Sequence, residues 1–95
     1  MFASIRHYNT GDVEEVVKRV EEGFIPIISQ TPGFVAYYVL DGGAGTLVSV
    51  SVFESQAGAE ESTRLAADWV KENLAGLFDG PPSVTAGEVR AYRTG

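Results

Sequence analysis

The segment Phe34–Leu40 constrains the fold most, because every one of its residues is apolar or aromatic. Side chains alternate along a strand, so such a strand presents apolar groups on both faces of its sheet. The rest of the chain carries only two helix-length patterns, which can cover one face. The other face must meet something else, and a second copy of the same sheet is the simplest cover.

Four strands are predicted from alternating or continuous apolar runs. They span Phe2–Tyr8, Phe34–Leu40, Thr46–Phe53 and about Val84–Tyr92. The glycine-rich segment Asp41–Gly45 predicts a hairpin loop between the second strand and the third.

Two helices separate these strands. The first begins after Asp12, a good N-cap, and its apolar residues recur at spacings of three and four. Pro26 removes a backbone donor from this helix, which predicts a kink near Gly23 or an end of the regular helix there. The second helix is predicted over Gln56–Phe78, with Ser55 as its N-cap.

The element order strand-helix-strand, strand-helix-strand predicts a single ferredoxin-like α+β domain over residues 1–95. Its sheet is antiparallel and four-stranded, with both helices on one face. The helix-facing side of the sheet is expected to carry mainly aliphatic residues: Ala3, Ile5, Val48, Val50 and Val52. The opposite side is expected to carry part of the aromatic second strand together with Phe2, Arg6, Tyr8, Ser49 and Ser51.

Composition excludes several classes of function. The net charge of −6 argues against nucleic acid and anionic membranes as partners. The chain has no cysteine, which excludes disulfides, thiol catalysis and thiolate metal sites. A single histidine, His7, predicts no metal site. The first residues lack a basic start followed by an apolar core, so a cytoplasmic location is expected.

Three motifs carry a resemblance to a known family. They are Gln30–Phe34 at the end of the first helix, Val52–Ser55 before the second helix, and Gly87–Arg90 in the closing strand. With these motifs the chain resembles the antibiotic-biosynthesis-monooxygenase-like domain of the dimeric α/β-barrel superfamily, over nearly its whole length. The resemblance implies a homodimer whose two sheets form a barrel, and a pocket between sheet and helices or opening into the barrel.

The haem-degrading branch of this superfamily uses an asparagine on the first strand and a tryptophan and a histidine on the second helix. In this sequence Ser62 and Glu72 fall where the tryptophan and the histidine are expected. Trp69 comes about two turns late, and Asn9 lies at the end of its strand. The sequence therefore argues against haem degradation, and no cofactor is predicted.

Two residues are candidates for catalysis and five for ligand binding. His7 is a candidate general base because its ordinary pKa is near neutrality, although a strand-end histidine on the helix-facing side is the simpler interpretation. Tyr37 is the second catalytic candidate. The oxygenase branch implied by the resemblance adds the ligand-binding candidates Arg6, Tyr8, Trp69, Asn73 and Arg90. Core packing for Trp69, and pairing of the arginines with Glu88 or Glu54, are the structural alternatives.

Two functions follow from these candidates. The first is a dimeric, stress-associated protein without catalysis that binds a small apolar or aromatic ligand. The second is a cofactor-independent monooxygenase acting on an aromatic or quinol-like substrate, which would itself supply the electrons. Fold alone does not decide between these two functions.

Overall fold

One antiparallel sheet forms the framework of the computed structural model, which describes residues 1–95. Its strands are β1 (Phe2–Asn9), β2 (Phe34–Gly43), β3 (Thr46–Phe53) and β4 (Ser83–Glu88), in the spatial order β2-β3-β1-β4. The ferredoxin-like α+β fold predicted from the element order is confirmed. None of its helices combines the length and apolar character needed to cross a membrane.

The first helical region has three parts: α1 (Val13–Arg19), a π-helical turn (Val20–Phe24) and α2 (Ile25–Ile28). The Asp12 carboxylate caps α1 by accepting a hydrogen bond from the Glu15 amide. In the π turn, the Ile25 amide donates to the Val20 carbonyl, five residues back. The kink predicted near Gly23 therefore takes the form of a π turn.

The second helix, α3, spans Gln56–Asn73, with Ser55 accepting from the Gly58 amide. It is shorter than predicted, because Leu77 and the residues after it are drawn alongside the end of β1. The buried Thr10 hydroxyl donates to the Leu77 carbonyl, and Thr10 pairs with Phe78 in an isolated bridge. Strand β4 also ends earlier than predicted, at Glu88.

The two faces of the sheet are reversed relative to the prediction. Six residues of the helix-facing side are buried: Ser4, Arg6, Leu47, Ser49, Ser51 and Phe53. Phe2 and Tyr8 also pack against the core on this side. The open side carries the aliphatic residues expected beneath the helices: Ala3, Ile5, Val48, Val50 and Val52. The prediction was wrong because it assigned the more hydrophobic face to the helices.

Small residues explain why the helices cover the serine side. The sheet-facing stripe of α3 consists of Gly58, Ala59, Ser62 and Ala66, all of them buried. A methyl group at Gly58 would stand 3.0 Å from the Phe53 ring, so the helix lies very close to the sheet. A row of serines leaves room for this approach, whereas a row of valines would hold the helix away.

The open side of the sheet is apolar and uncovered by any part of the chain. Tyr38 is 58% exposed and Leu40 is 52% exposed. They pair in register with Val50 and Val48, and Ile5 lies on the far side of Val50. The expectation that Phe34–Leu40 brings apolar groups to both faces is confirmed.

The glycine turn of the β2–β3 hairpin is hydrogen-bonded to Thr10, the residue that follows β1. Gly43 and Gly45 both have positive φ, at 82° and 80°. The Thr10 amide donates to the Gly45 carbonyl at 2.8 Å. A methyl group at Gly45 would lie 2.5 Å from the Thr10 carbonyl oxygen, while one at Gly43 would meet nothing within 4 Å.

This difference predicts unequal costs for two matched substitutions. Gly43→Ala adds only the strain of a positive φ, about 1–2 kcal/mol. Gly45→Ala adds a backbone clash and should cost about 3 kcal/mol or more. Urea denaturation of both variants measures the two losses. Equal losses would contradict the close contact between the hairpin turn and Thr10.

Candidate functional site

A small cavity lies between the sheet and the helices. Its volume is about 30 Å³, which is room for about two water molecules. Thirteen residues line it, and Ser49 is the only one without a mainly apolar or aromatic side chain. The sheet contributes Tyr8, Tyr37, Val39, Leu47 and Ser49; the helices and the segment after α3 contribute Val16, Val20, Phe24, Ala66, Trp69, Val70, Leu74 and Phe78.

Aromatic side chains form much of the cavity wall. The ring centroid of Phe24 is 5.5 Å from that of Tyr37 and 5.4 Å from that of Trp69. Tyr8 stacks on Phe78 with centroids 4.6 Å apart. Such contacts favour a flat, apolar ligand, because aromatic groups can stack on it or meet it edge to face.

The π turn makes space for the indole of Trp69. Gly23 lies in this turn, and a methyl group there would stand 2.9 Å from Cζ2 of the indole ring. The turn also carries Val20 and Phe24, which line the cavity. On this side the cavity wall therefore consists of an irregular helical turn packed against the single large ring of Trp69. Such π turns are frequent at functional sites.

Three residues of the cavity wall carry hydroxyl groups: Tyr8, Tyr37 and Ser49. Burial and the neighbouring Tyr8 raise the pKa of Tyr37 to about 12, against the lowering effects of Ser49 and Arg6. Burial also raises the pKa of Tyr8, against the lowering effect of Arg6. Both phenols are therefore neutral at pH 7 and can donate hydrogen bonds.

Arg6 is a buried charged residue next to the cavity in register, although it does not itself line the cavity. It lies directly opposite Ser49 on β3 and is 4% exposed. Its Nη2 atom is buried without a hydrogen-bond partner. Tyr8 lies two residues further along β1, and Tyr37 pairs with Ser51, two residues from Ser49.

Among the candidates from the sequence, the structure brings Tyr8, Tyr37 and Trp69 together in the cavity wall, with Arg6 beside them. It places His7 elsewhere. His7 pairs with Val48 on the open side of the sheet and is exposed. The prediction of a helix-facing histidine was wrong, because the whole face assignment was reversed.

Asn73 and Arg90 lie outside the cavity wall. The Asn73 side chain donates to the Trp69 carbonyl at 2.9 Å in the last turn of α3. Arg90 follows β4, and its exposed guanidinium is 3.7 Å from Glu88. Within one copy of the chain, neither residue reaches a ligand held in this cavity.

Sequence reasoning missed Phe24 and Phe78 as cavity residues. Phe24 belongs to the predicted apolar stripe, and its position beside the Pro26 kink was the available signal. Phe78 enters the wall through the Thr10 bridge, which no local pattern indicates.

Solved structures share this fold across their full length. NE2512, a protein of unknown function from Nitrosomonas europaea, has 21% identity and a TM-score of 0.79, covering 99% of this chain and 93% of its own. A monooxygenase from the gene ActVA-Orf6 of Streptomyces coelicolor, in complex with nanaomycin D, has 18% identity and a TM-score of 0.78, covering 99% and 91%. A mutant of MhuD with two manganese protoporphyrin IX groups per active site has 19% identity and a TM-score of 0.77, covering 100% of both.

No protein-family model matches the chain, and no curated protein matches it in sequence. The comparisons therefore concern the fold. The chain has the fold of antibiotic-biosynthesis-monooxygenase-like structures, and the resemblance predicted from its motifs is confirmed at that level. Proteins with this fold are seen with unlike ligands, so the side chains of the cavity have to decide what is bound.

The buried phenol of Tyr37 predicts a loss of stability in alkali. Its folded pKa of about 12 lies above the ordinary value of 10. The unfolded chain therefore ionises first, and stability that is complete below pH 10 is lost as the pH rises towards 12. The loss should be about 2–3 kcal/mol, at 1.36 kcal/mol per pKa unit.

Denaturation between pH 9 and 12 measures this loss, and Tyr37→Phe is the comparison. The variant should show a shallower decline of unfolding free energy and should lack the latest tyrosine ionisation in absorbance titrations. Identical profiles would contradict the burial of this phenol.

Proposed function

We propose that this chain is a non-catalytic binding protein for a small apolar or aromatic molecule, of the kind that the resemblance links to stress-associated proteins. The observation that carries this proposal is the cavity wall, which combines aromatic rings with a few hydroxyl groups. Ligand sites in proteins commonly have this composition, because apolar contacts supply affinity and a few polar groups fix orientation.

The cavity has to widen before it can hold an aromatic ring. Its 30 Å³ is far below the roughly 300 Å³ of a typical ligand site. Trp69 and the π turn carrying Gly23 form the wall best suited to move, since this turn lacks regular α-helical hydrogen bonding. Binding should therefore be slower than docking to a rigid site.

Binding without catalysis is favoured by the absence of a base in the cavity wall. The wall contains no histidine or carboxylate, and its two phenols are neutral at pH 7. His7 lies on the opposite face of the sheet. General base catalysis at neutral pH needs a group that accepts a proton there, and none of these residues supplies one.

Two neighbouring alanines of α3 provide a matched test. Ala66 is buried in the cavity wall, whereas Ala67 is exposed. Ala66→Leu fills the cavity and should weaken binding of a neutral aromatic probe, 2-naphthamide, at least about tenfold. It should also cost about 1–3 kcal/mol of stability through overpacking. Ala67→Leu should leave both quantities nearly unchanged. Fluorescence titration and thermal denaturation provide the readouts.

Native mass spectrometry of the purified protein is a probe-free version of this test. Wild-type protein and Ala67→Leu should carry the same small extra mass, and Ala66→Leu should lose it.

Loss of 2-naphthamide binding in both variants alike would place the binding site elsewhere. Failure of the wild-type protein to bind any aromatic probe would refute the proposed function.

A cofactor-independent monooxygenase is the second candidate. The observation that favours it is the pairing of a water-poor apolar cavity with phenol donors beside a buried cation, since these groups would stabilise an ionised quinol oxygen. The substrate would supply the electrons and lose its proton to solvent. Oxygen uptake with 1,4-naphthohydroquinone distinguishes the two candidates: uptake above the uncatalysed rate that Ala66→Leu removes would establish the enzyme.

The open side of the sheet supports a further part of the proposal, a homodimer. Tyr38, Leu40 and Val50 form the centre of an apolar face that nothing in the chain covers. Exposing aliphatic and aromatic groups forgoes about 25 cal/mol for each Å² left in water. A second copy presents the same face, so stacking the two sheets buries both at once.

A charge at the centre of this face should separate the copies. Val50→Glu would bury two carboxylates in the sheet-to-sheet contact, which costs several kcal/mol, and should give a monomer by native mass spectrometry. Ile27→Glu is the control, because Ile27 is a similarly exposed aliphatic residue on α2, away from this face. A monomeric wild-type protein, or a dimer that survives Val50→Glu, would contradict the proposed interface.

A further inference from the structure

Arg6 has an environment unlike that of any other cation in the chain. The four ion pairs of the structure involve Arg19, Arg64 and Arg90, and all lie at exposed positions. Arg6 takes part in none of them. It is 4% exposed, and its Nη2 atom has no partner. A buried guanidinium is thus left without the carboxylate that normally accompanies it.

An unpaired buried charge is costly. Removing an ion from water without compensation costs several kcal/mol, and breaking a buried pair by removing one partner is strongly destabilising. The chain has 13 acidic residues, so carboxylates are plentiful in the sequence, and yet none of them pairs with Arg6. An unsatisfied buried polar group in a native structure calls for an explanation, and a bound anion is one.

The neighbours of Arg6 are donors rather than anions. Ser49 lies opposite it, Tyr8 is two residues further along β1, and Tyr37 pairs with Ser51, the next serine of β3 on the same face. Because both phenols stay neutral, each can offer an O–H to the same acceptor. A guanidinium fork with two phenol donors matches an anionic oxygen, and especially the two oxygens of a carboxylate.

We infer that the cavity selects small aromatic or apolar acids, with the ring held among Phe24, Trp69 and their neighbours and the carboxylate bound by Arg6 and the phenols. The inference rests on the proposed ligand-binding function and adds the chemical class of the ligand. Arg6 acts here as the binding residue for the anion, and Tyr8 and Tyr37 orient it.

Two probes of the same shape test this selectivity in the wild-type protein. 2-Naphthoate carries a carboxylate, and 2-naphthamide replaces it with a neutral amide. Charge-assisted hydrogen bonds to Arg6 should make naphthoate bind at least about tenfold more tightly at pH 7. Fluorescence titration and calorimetry measure both dissociation constants. Equal affinities would overturn the inference and leave the proposed function intact, whereas failure of both probes would overturn the two together.

Arg6→Met tests whether this residue is the source of the preference. The substitution keeps much of the apolar stem and removes the charge, and replacing a buried charge by an apolar side chain is often neutral or stabilising. The variant should lose the preference and bind naphthoate no more tightly than naphthamide. Arg6→Lys keeps the charge without the planar fork and should retain part of the preference.

Arg93→Met is the matched control, because Arg93 is exposed and its loss changes the net charge equally. It should leave the naphthoate preference unchanged. A preference that persists in Arg6→Met, or that disappears in Arg93→Met as well, would show that general charge rather than Arg6 attracts the anion. The comparison of the two probes in wild-type protein decides the question even if Arg6→Met folds poorly.

Discussion

The close approach of α3 to the sheet is the contact on which the rest of the structure depends. It is possible because α3 presents small residues to the sheet: Gly58 abuts the Phe53 ring, while Ala59 and Ser62 are buried, as are the serines of β1 and β3. Hydroxyls in this layer are satisfied locally, as when Ser62 donates to the Ala59 carbonyl at 2.7 Å. Where the small layer ends, the larger rings of Trp69 and Phe24 cannot pack as closely against the sheet, and the cavity lies there.

The element order, both N-caps and the irregularity near Gly23 could be predicted from the sequence, because each depends on residues adjacent in the chain. The assignment of the sheet faces could not be made in the same way. Hydrophobicity gave the valine face to the helices, and that rule fails when both faces of a sheet are to be buried. The size of the facing residues was the better guide, since Gly58 lies against the Phe53 ring and leaves no room for a larger residue on the helix.

The candidate site was predictable in its residue types and not in its geometry. Tyr37 and Trp69 were candidates because the resemblance to the oxygenase branch implied aromatic side chains around the substrate, with core packing as the alternative for Trp69. Whether Arg6 lay inside or outside depended on a one-residue choice of face, since register moves every side chain of a strand to the other side. The same choice removed His7 from the cavity. The assignment of the sheet faces thus decided whether Arg6 and His7 were expected under the helices or on the open side of the sheet.

Burial distinguishes Arg6 from the other basic residues of the chain. Seven basic residues occur in the chain, and most need no explanation beyond solubility or surface pairing. Arg6 differs because the fold places it under the helices beside neutral donors, where no carboxylate of the protein accompanies it. With a buried cation opposite Ser49 of its wall, an apolar cavity can discriminate by charge as well as by shape. The fold alone leaves the ligand open, and it is this one buried guanidinium that narrows the choice to acids.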